Sequence, residues 1–341
     1  MSQLPLVCIL DGVDSSIEAD VLSGLAAVEA YGVKDAQQLP QHVFDDAYAV
    51  LCHHFVQLNR ATLTPFKNLK IIVRYGVGLD NVDLDDAAHL GIAVSNVPFF
   101  AVEEVADSTL CNILNLYRRT HFSSIQLATG RVFREIPEII DCAKGARRIR
   151  GQVLGLIGLG KIGTAVVERC KPFGFDICYY DPCVADGLHK ALGIRVSDSL
   201  EELVSQTDCL VVMCPRTSHN WHMINATLIS QLKPGAFIVN TSRGGIIDEK
   251  ALAEALTSGQ VGGAALDVHE KEPFDWSQGP LSQAPNLICT PHTAWYSVES
   301  CRELRQSAAL EVKRSIEGKI PESLRNCVNK SILDSSHASS A

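Results

Sequence analysis

Short apolar runs alternate with stretches of helical periodicity along this chain. Residues 6–10, 49–52, 71–74 and 92–95 are apolar and brief, bounded by Asp11-Gly12, by Gly76 and Gly78, and by Gly91. Strands of this kind separated by helices of ten or so residues predict a parallel sheet with crossover helices. The stretch 101–119 then places Val102, Val105, Ala106, Thr109, Leu110, Ile113, Leu114 and Tyr117 at helical spacing. The stripe is wide for a surface helix, which predicts burial between domains, with part of it available to a subunit interface.

A second β/α series opens at Gln152, with strands expected over 153–157, 177–180, 209–213, 237–240, 264–268 and 287–289. Residues 302–316 read as a final amphipathic helix, and the Ser/Ala-rich tail 331–341 as disordered. In open parallel sheets ligands collect outside the carboxyl ends of the strands. The polar residues just after each strand are therefore the candidates for chemistry.

One such end carries Gly158-Leu159-Gly160-Lys161-Ile162-Gly163. A glycine triplet alone also marks ordinary turns. Here an apolar strand precedes it, a helix follows, and a second strand ends at Asp181, the spacing of a dinucleotide site. Gly158 permits the tight turn, Gly160 lets the backbone approach a pyrophosphate, and Gly163 lets helix and strand pack closely. Free N–H groups at the helix start attract phosphate. Asp181 is placed to accept hydrogen bonds from ribose hydroxyls and to repel a 2′-phosphate, which predicts NAD(H) rather than NADP(H).

Three further strand ends carry Arg243, Glu272 and His292. Reduction of a small 2-keto acid needs a cation for the carboxylate, and a guanidinium serves bidentately. It needs an acid for the carbonyl oxygen, which suits an imidazolium, and a carboxylate to orient that ring. Arg243, His292 and Glu272 fit those roles in that order. Spacing does not prove that they meet, and each also reads as a surface arginine, a capped histidine or a solvated glutamate. His219 and His222 suggest a metal pair with no ligand placed to complete it, so no metal is expected. The basic cluster Lys144, Arg147, Arg148 and Arg150 reads as a solvated or salt-bridged connection.

Composition narrows the class. A chain of 341 residues suggests about two domains, and a net charge of −9 argues against direct nucleic-acid or membrane-surface binding. The 12 cysteines form no C-x-x-C pair and several sit in apolar runs, which suits reduced thiols inside a cell.

With these residues in view, the chain from about Leu4 to Lys330 resembles the D-isomer-specific 2-hydroxyacid dehydrogenase family. The motifs are Val-Arg-Tyr-Gly-Val-Gly-Leu-Asp-Asn (73–81), the glycine loop, Asn-Thr-Ser-Arg-Gly-Gly (240–245) and Ala-Ala-Leu-Asp-Val (264–268), with Glu272 and His292. The resemblance implies a Rossmann domain, 98–299, inserted into a discontinuous flavodoxin-like outer domain made of 1–97 and 300–330. It implies catalytic roles for Arg243, Glu272 and His292, and cofactor contacts from Cys214, Pro215, Asn220, Thr241, Ser242, Asp267 and Trp295 beside the glycine loop. It places Arg74, Gly76, Val77, Gly78 and Trp295 near the substrate.

Within the family the chain is more similar to the C-terminal-binding protein corepressors. The strings 106–120, 274–281, 291–297 with Trp295, and 320–330 carry that likeness and have no catalytic reason to match. It implies NAD(H)-favoured homodimers built on the 101–120 region, with an outer-domain groove for Pro-x-Asp-Leu-Ser peptides of DNA-binding repressors. It also implies recruitment of chromatin-modifying enzymes, in the nucleus and the cytoplasm. A metabolic D-2-hydroxyacid dehydrogenase remains the alternative, because both would keep one pocket. Val77 departs from the usual serine of the corepressors, which removes a hydroxyl, and the sequence stops short of the long C-terminal extension common in the vertebrate members, as either a trimmed or a short form would.

Overall fold

The computed structural model describes residues 4–338. It divides into two compact units, one from 4–100 with 297–338 and the other from 101–296.

The first unit holds β1 (Leu6–Ile9), β2 (Ala27–Ala30), β3 (Ala47–Cys52), β4 (Ile71–Arg74) and β5 (Ala93–Asn96). They form one sheet in the order β2-β1-β3-β4-β5, parallel throughout, which is the flavodoxin-like arrangement. β1, β3 and β4 are almost wholly buried and read as continuous apolar runs, as strands covered on both faces do. β2 is the free edge and largely half-exposed, which is why its alternation escaped the sequence reading.

The helix Val298–Glu317 returns to this unit, opened by a capping box between Ser297 and Ser300. The fully buried Asn329 fixes the chain beyond it. Its side chain accepts from the Val94 N–H at 2.9 Å and donates to the Ile92 carbonyl at 3.0 Å. That anchor corrects the expected disorder of 331–341. Lys330–Ala338 is helical, because Leu333 is buried one turn after the anchor and outweighs the Ser/Ala composition around it. Residues 339–341 lie outside the described residues.

The second unit contributes β6 (Val153–Ile157), β7 (Asp176–Tyr180), β8 (Arg195–Val196), β9 (Cys209–Val212), β10 (Ala236–Asn240), β11 (Val261–Leu266) and β12 (Leu287–Cys289). Their order, β12-β11-β10-β9-β6-β7-β8, is parallel and reverses direction between β6 and β9. This is the Rossmann order with one further strand, and the reversal opens a ligand crevice at the β6 and β9 ends.

The helix Val102–Arg118 is buried differently from the sequence expectation. Its apolar stripe packs on its own sheet, with Ala106, Ile113, Leu116 and Tyr117 in one core with Leu154, Val166 and Val239. Tyr117 meets the edges of Phe175 and Phe237 at 5.5 and 5.0 Å. Arg147 of the basic cluster lies over the Phe237 ring at 4.7 Å, a structural role. Among the described residues, no helix is long and apolar enough to cross a membrane.

Candidate active site

The glycine loop meets the demands made of it. Gly158 has φ +97°, and a Cβ there would stand 2.8 Å from the Cys214 backbone nitrogen. Gly163 lies so close to the Gly158 carbonyl that a Cβ would come within 2.5 Å. Gly160 faces nothing within 4 Å, an open space over the start of the Lys161–Cys170 helix. The N-cap is Gly160, which brings no capping side chain, and the N-terminus of a helix suits an anion.

Asp181, at the end of β7, accepts from the Leu159 N–H and the Cys183 N–H, each at 2.8 Å. Its carboxylate is thereby fixed beside the loop. Asn220 folds the segment after β9, accepting from the Thr217 N–H at 2.7 Å and donating to the Pro215 carbonyl at 2.8 Å. Burial pushes the Cys214 thiol up to about 11, so it serves as a neutral packing group beside Gly158. Thr241 bonds the Thr109 hydroxyl at 2.6 Å, and Ser242 turns back onto the Asn240 side chain. A dinucleotide phosphate fits this set: the loop is glycine where it must be and open where a phosphate would lie.

The catalytic candidates stand beyond β10, β11 and β12. His292 Nδ1 lies 2.8 Å from Glu272 Oε2, so the structure brings these two together. His292 has φ +56°, a left-handed conformation that a residue with a Cβ adopts reluctantly. Asp267 supplies the restraint. Its carboxylate accepts from the Thr290 hydroxyl at 2.6 Å and from the N–H groups of Thr293 and Ala294, each at 2.9 Å. Its backbone carbonyl accepts from the His292 N–H at 2.8 Å. Asp267, expected near the cofactor, is buried and occupied in holding the histidine loop. Trp295 is half-buried in the same loop.

Arg243 is carried by the neighbouring turn, where the Asn240 amide holds its carbonyl at 2.9 Å and its Nη1 donates to the Ser242 carbonyl at 2.7 Å. Arg74, Gly76, Val77 and Gly78 belong to the first unit. There Arg74 donates to the Tyr75 carbonyl at 2.7 Å, and Gly76, at φ +128°, leaves room for its guanidinium. Val77 is exposed, with its carbonyl tied to Asn96 at 2.8 Å.

Sequence reasoning missed two sets of residues. Asp248 and Glu270 do reach His222, at 3.8 and 2.9 Å, so the ligand partners thought missing are present. Both carboxylates are engaged by backbone N–H groups at the start of the Glu249–Ser258 helix, which makes the cluster a clamp on that helix. His219 stays outside it. His269 and Glu249 form a buried set beside the His292–Glu272 pair. His269 lies one residue past the 264–268 motif and Glu249 lies outside every quoted motif, so neither carried a signal that periodicity reads.

A crossover sheet with a phosphate-ready glycine loop and an imidazole–carboxylate pair defines an NAD-binding oxidoreductase unit. The NAD binding domain of the D-isomer specific 2-hydroxyacid dehydrogenases matches residues 110–294, and the chain belongs to that family. It is 42% identical to C-terminal-binding protein 1 of Caenorhabditis elegans over 96% of its own length and 45% of that protein. It is 34% identical to D-3-phosphoglycerate dehydrogenase of Methanocaldococcus jannaschii over 83% of this chain and 52% of that one. The chain thus spans about half the length of the curated relatives it matches. The crystal structure of D-lactate dehydrogenase from Aquifex aeolicus, complexed with NAD and lactic acid, superposes with a TM-score of 0.82 at 28% identity. The match covers 95% of this chain and 99% of that one.

Proposed function

We propose that this protein is an NAD(H)-dependent, dimeric transcriptional corepressor that binds Pro-x-Asp-Leu-Ser peptides and retains D-2-hydroxyacid dehydrogenase chemistry. The observation that carries the chemistry is the His292–Glu272 contact at 2.8 Å. Glu272 accepts a hydrogen bond from His292 Nδ1–H and keeps that proton on the ring, so the imidazolium gives its Nε2 proton to the substrate carbonyl oxygen and is left as a neutral imidazole. Arg243 holds the substrate carboxylate, and Asp267 keeps the histidine loop in place. The glycine loop and Asp181 would hold NADH, which when bound would supply the hydride.

The corepressor reading rests on likeness to C-terminal-binding protein 1 across nearly the whole chain. Two surfaces support it. β2 is a free sheet edge, and extended peptides add to such edges through main-chain hydrogen bonds. The helix Thr120–Ala128 buries none of its residues and Ile136–Cys142 buries only Cys142, while Ile125, Leu127, Ile136, Ile139 and Ile140 are exposed. Short helices draw their stability from packing, so this apolar surface calls for a second copy of the chain. Ile140→Glu changes a side chain that is 65% exposed, so the fold should survive while the solution mass falls from dimer to monomer. Light scattering checks this, and a dimeric variant contradicts it.

Titration with a labelled Pro-x-Asp-Leu-Ser peptide, with and without NADH, tests the whole reading. Saturable binding by a dimer supports the corepressor, in the nucleus and in the cytoplasm, with transcription factors and chromatin-modifying enzymes as partners. No binding up to millimolar peptide, with turnover of hundreds per second on a keto acid, supports the metabolic alternative that the D-lactate dehydrogenase likeness favours.

A further inference from the structure

The proton donor, its carboxylate and the substrate arginine occupy three separate loops, and one buried residue touches all three, twice through its backbone and once through its ring. His269 follows β11, and its side chain is only 1% exposed. Its carbonyl oxygen backs Gly244, where a Cβ would sit 1.7 Å away, and so sets the turn after Arg243. Its backbone N–H donates to Glu272 Oε1 at 3.1 Å, leaving Oε2 to His292. Its ring Nε2 lies 3.2 Å from the carbonyl oxygen of Thr290, two residues before His292. A carbonyl only accepts, so Nε2 carries the ring proton. Phe274 stacks on the ring with centroids 3.8 Å apart and planes 13° from parallel.

We propose that His269 is the positioning residue of this site, locking the Arg243 turn, the Glu272 carboxylate and the His292 loop into one register through its backbone and its Nε2 proton. The proposal deepens the dehydrogenase reading and rests on it. His269 does not touch substrate or cofactor. Its importance follows from the tolerance of proton transfer: a misplacement of about 1 Å can cost about a hundredfold in rate. His292 also needs such support because its φ of +56° is one the loop must impose.

The surroundings keep the ring in the form this role requires. Burial holds His269 below the usual imidazole range, and burial pushes the Glu249 carboxyl up. The groups facing it are Glu249, whose carboxylate stands 3.8 Å from Nδ1, together with Glu272, Asp267, His292 and the Thr290 carbonyl. A neutral ring with its proton on Nε2 satisfies the one acceptor that matters for the His292 loop.

Two variants of the full chain test this. His269→Phe preserves a flat ring against Phe274 and removes the donor to Thr290. His269→Gln places an amide N–H where Nε2 was. NADH affinity by fluorescence, kcat and KM for glyoxylate reduction, and the pH profile of kcat/KM are measured for each. In His269→Phe, kcat should fall about 10- to 100-fold and the pH profile should move, with NADH affinity within about twofold of the parent. His269→Gln should restore most of the rate and the parental profile. A Phe variant with parental kcat and profile, or a Gln variant as impaired as Phe, overturns the proposal. If the parent reduces no keto acid, the dehydrogenase reading fails by itself, and amide exchange at His292, Thr293 and Ala294 decides this one. Faster exchange in the Phe variant, reversed in the Gln variant, upholds the positioning role; unchanged exchange overturns it.

Discussion

Replacing His292 by alanine should lower keto-acid reduction by about 10²- to 10⁴-fold and leave NADH affinity within about twofold. The size follows from losing the proton donor, since the remaining site still binds and orients the substrate. The selectivity follows from location. His292 contacts Glu272 and the Asp267 backbone, whereas the elements proposed to hold the dinucleotide stand at the β6, β7 and β9 ends. Steady-state rates and fluorescence titration on one preparation check both parts. A variant that loses NADH affinity along with turnover would show that His292 grips the cofactor instead.

The second large effect is expected from Gly160→Val. Nothing within 4 Å opposes a Cβ at Gly160, so valine is accommodated and the thermal midpoint should change little. The branched side chain would fill the space over the helix N-terminus that the pyrophosphate needs. NADH affinity should fall by about a hundredfold or more, equivalent to about 2.7 kcal/mol. Gly163→Val contrasts with it, because a Cβ there meets the Gly158 carbonyl at 2.5 Å and should damage the fold itself. Calorimetric titration of both variants, with their melting curves, separates the lost ligand from the lost fold. Dimerisation should weaken with NADH binding in Gly160→Val, since a ligand drives assembly only as far as the dimer binds it better.

Much of this architecture was legible in the chain because buried parallel strands advertise themselves as apolar runs ended by glycine. β6 and β12 match the sequence reading residue for residue, and β4 does so as well. β2 and β8 escaped because both are edges of their sheets and partly exposed, so no apolar run marks them. The glycine loop was readable because close backbone approach admits no other residue at Gly158 and Gly163.

The meeting of Glu272 with His292 was not readable from spacing, since it depends on how two strand ends are paired in the sheet. The same holds for Asp267 and His269. Their partners lie about 20 residues away across neighbouring strands, and no local pattern encodes such contacts. The tail helix Lys330–Ala338 was misread for a different reason. Composition averages over 331–341, whereas one buried Asn329 and one buried Leu333 decide whether that segment docks.

We propose that the 158–163 loop holds a dinucleotide and that the Asp181 carboxylate selects NAD(H) over NADP(H). Calorimetry of NADH and NADPH against the intact chain measures that directly. Saturable uptake of one NADH per chain, at least tenfold tighter than NADPH, is the predicted outcome, a gap of about 1.4 kcal/mol. No heat of binding with NADH, or equal affinity for both, would contradict it.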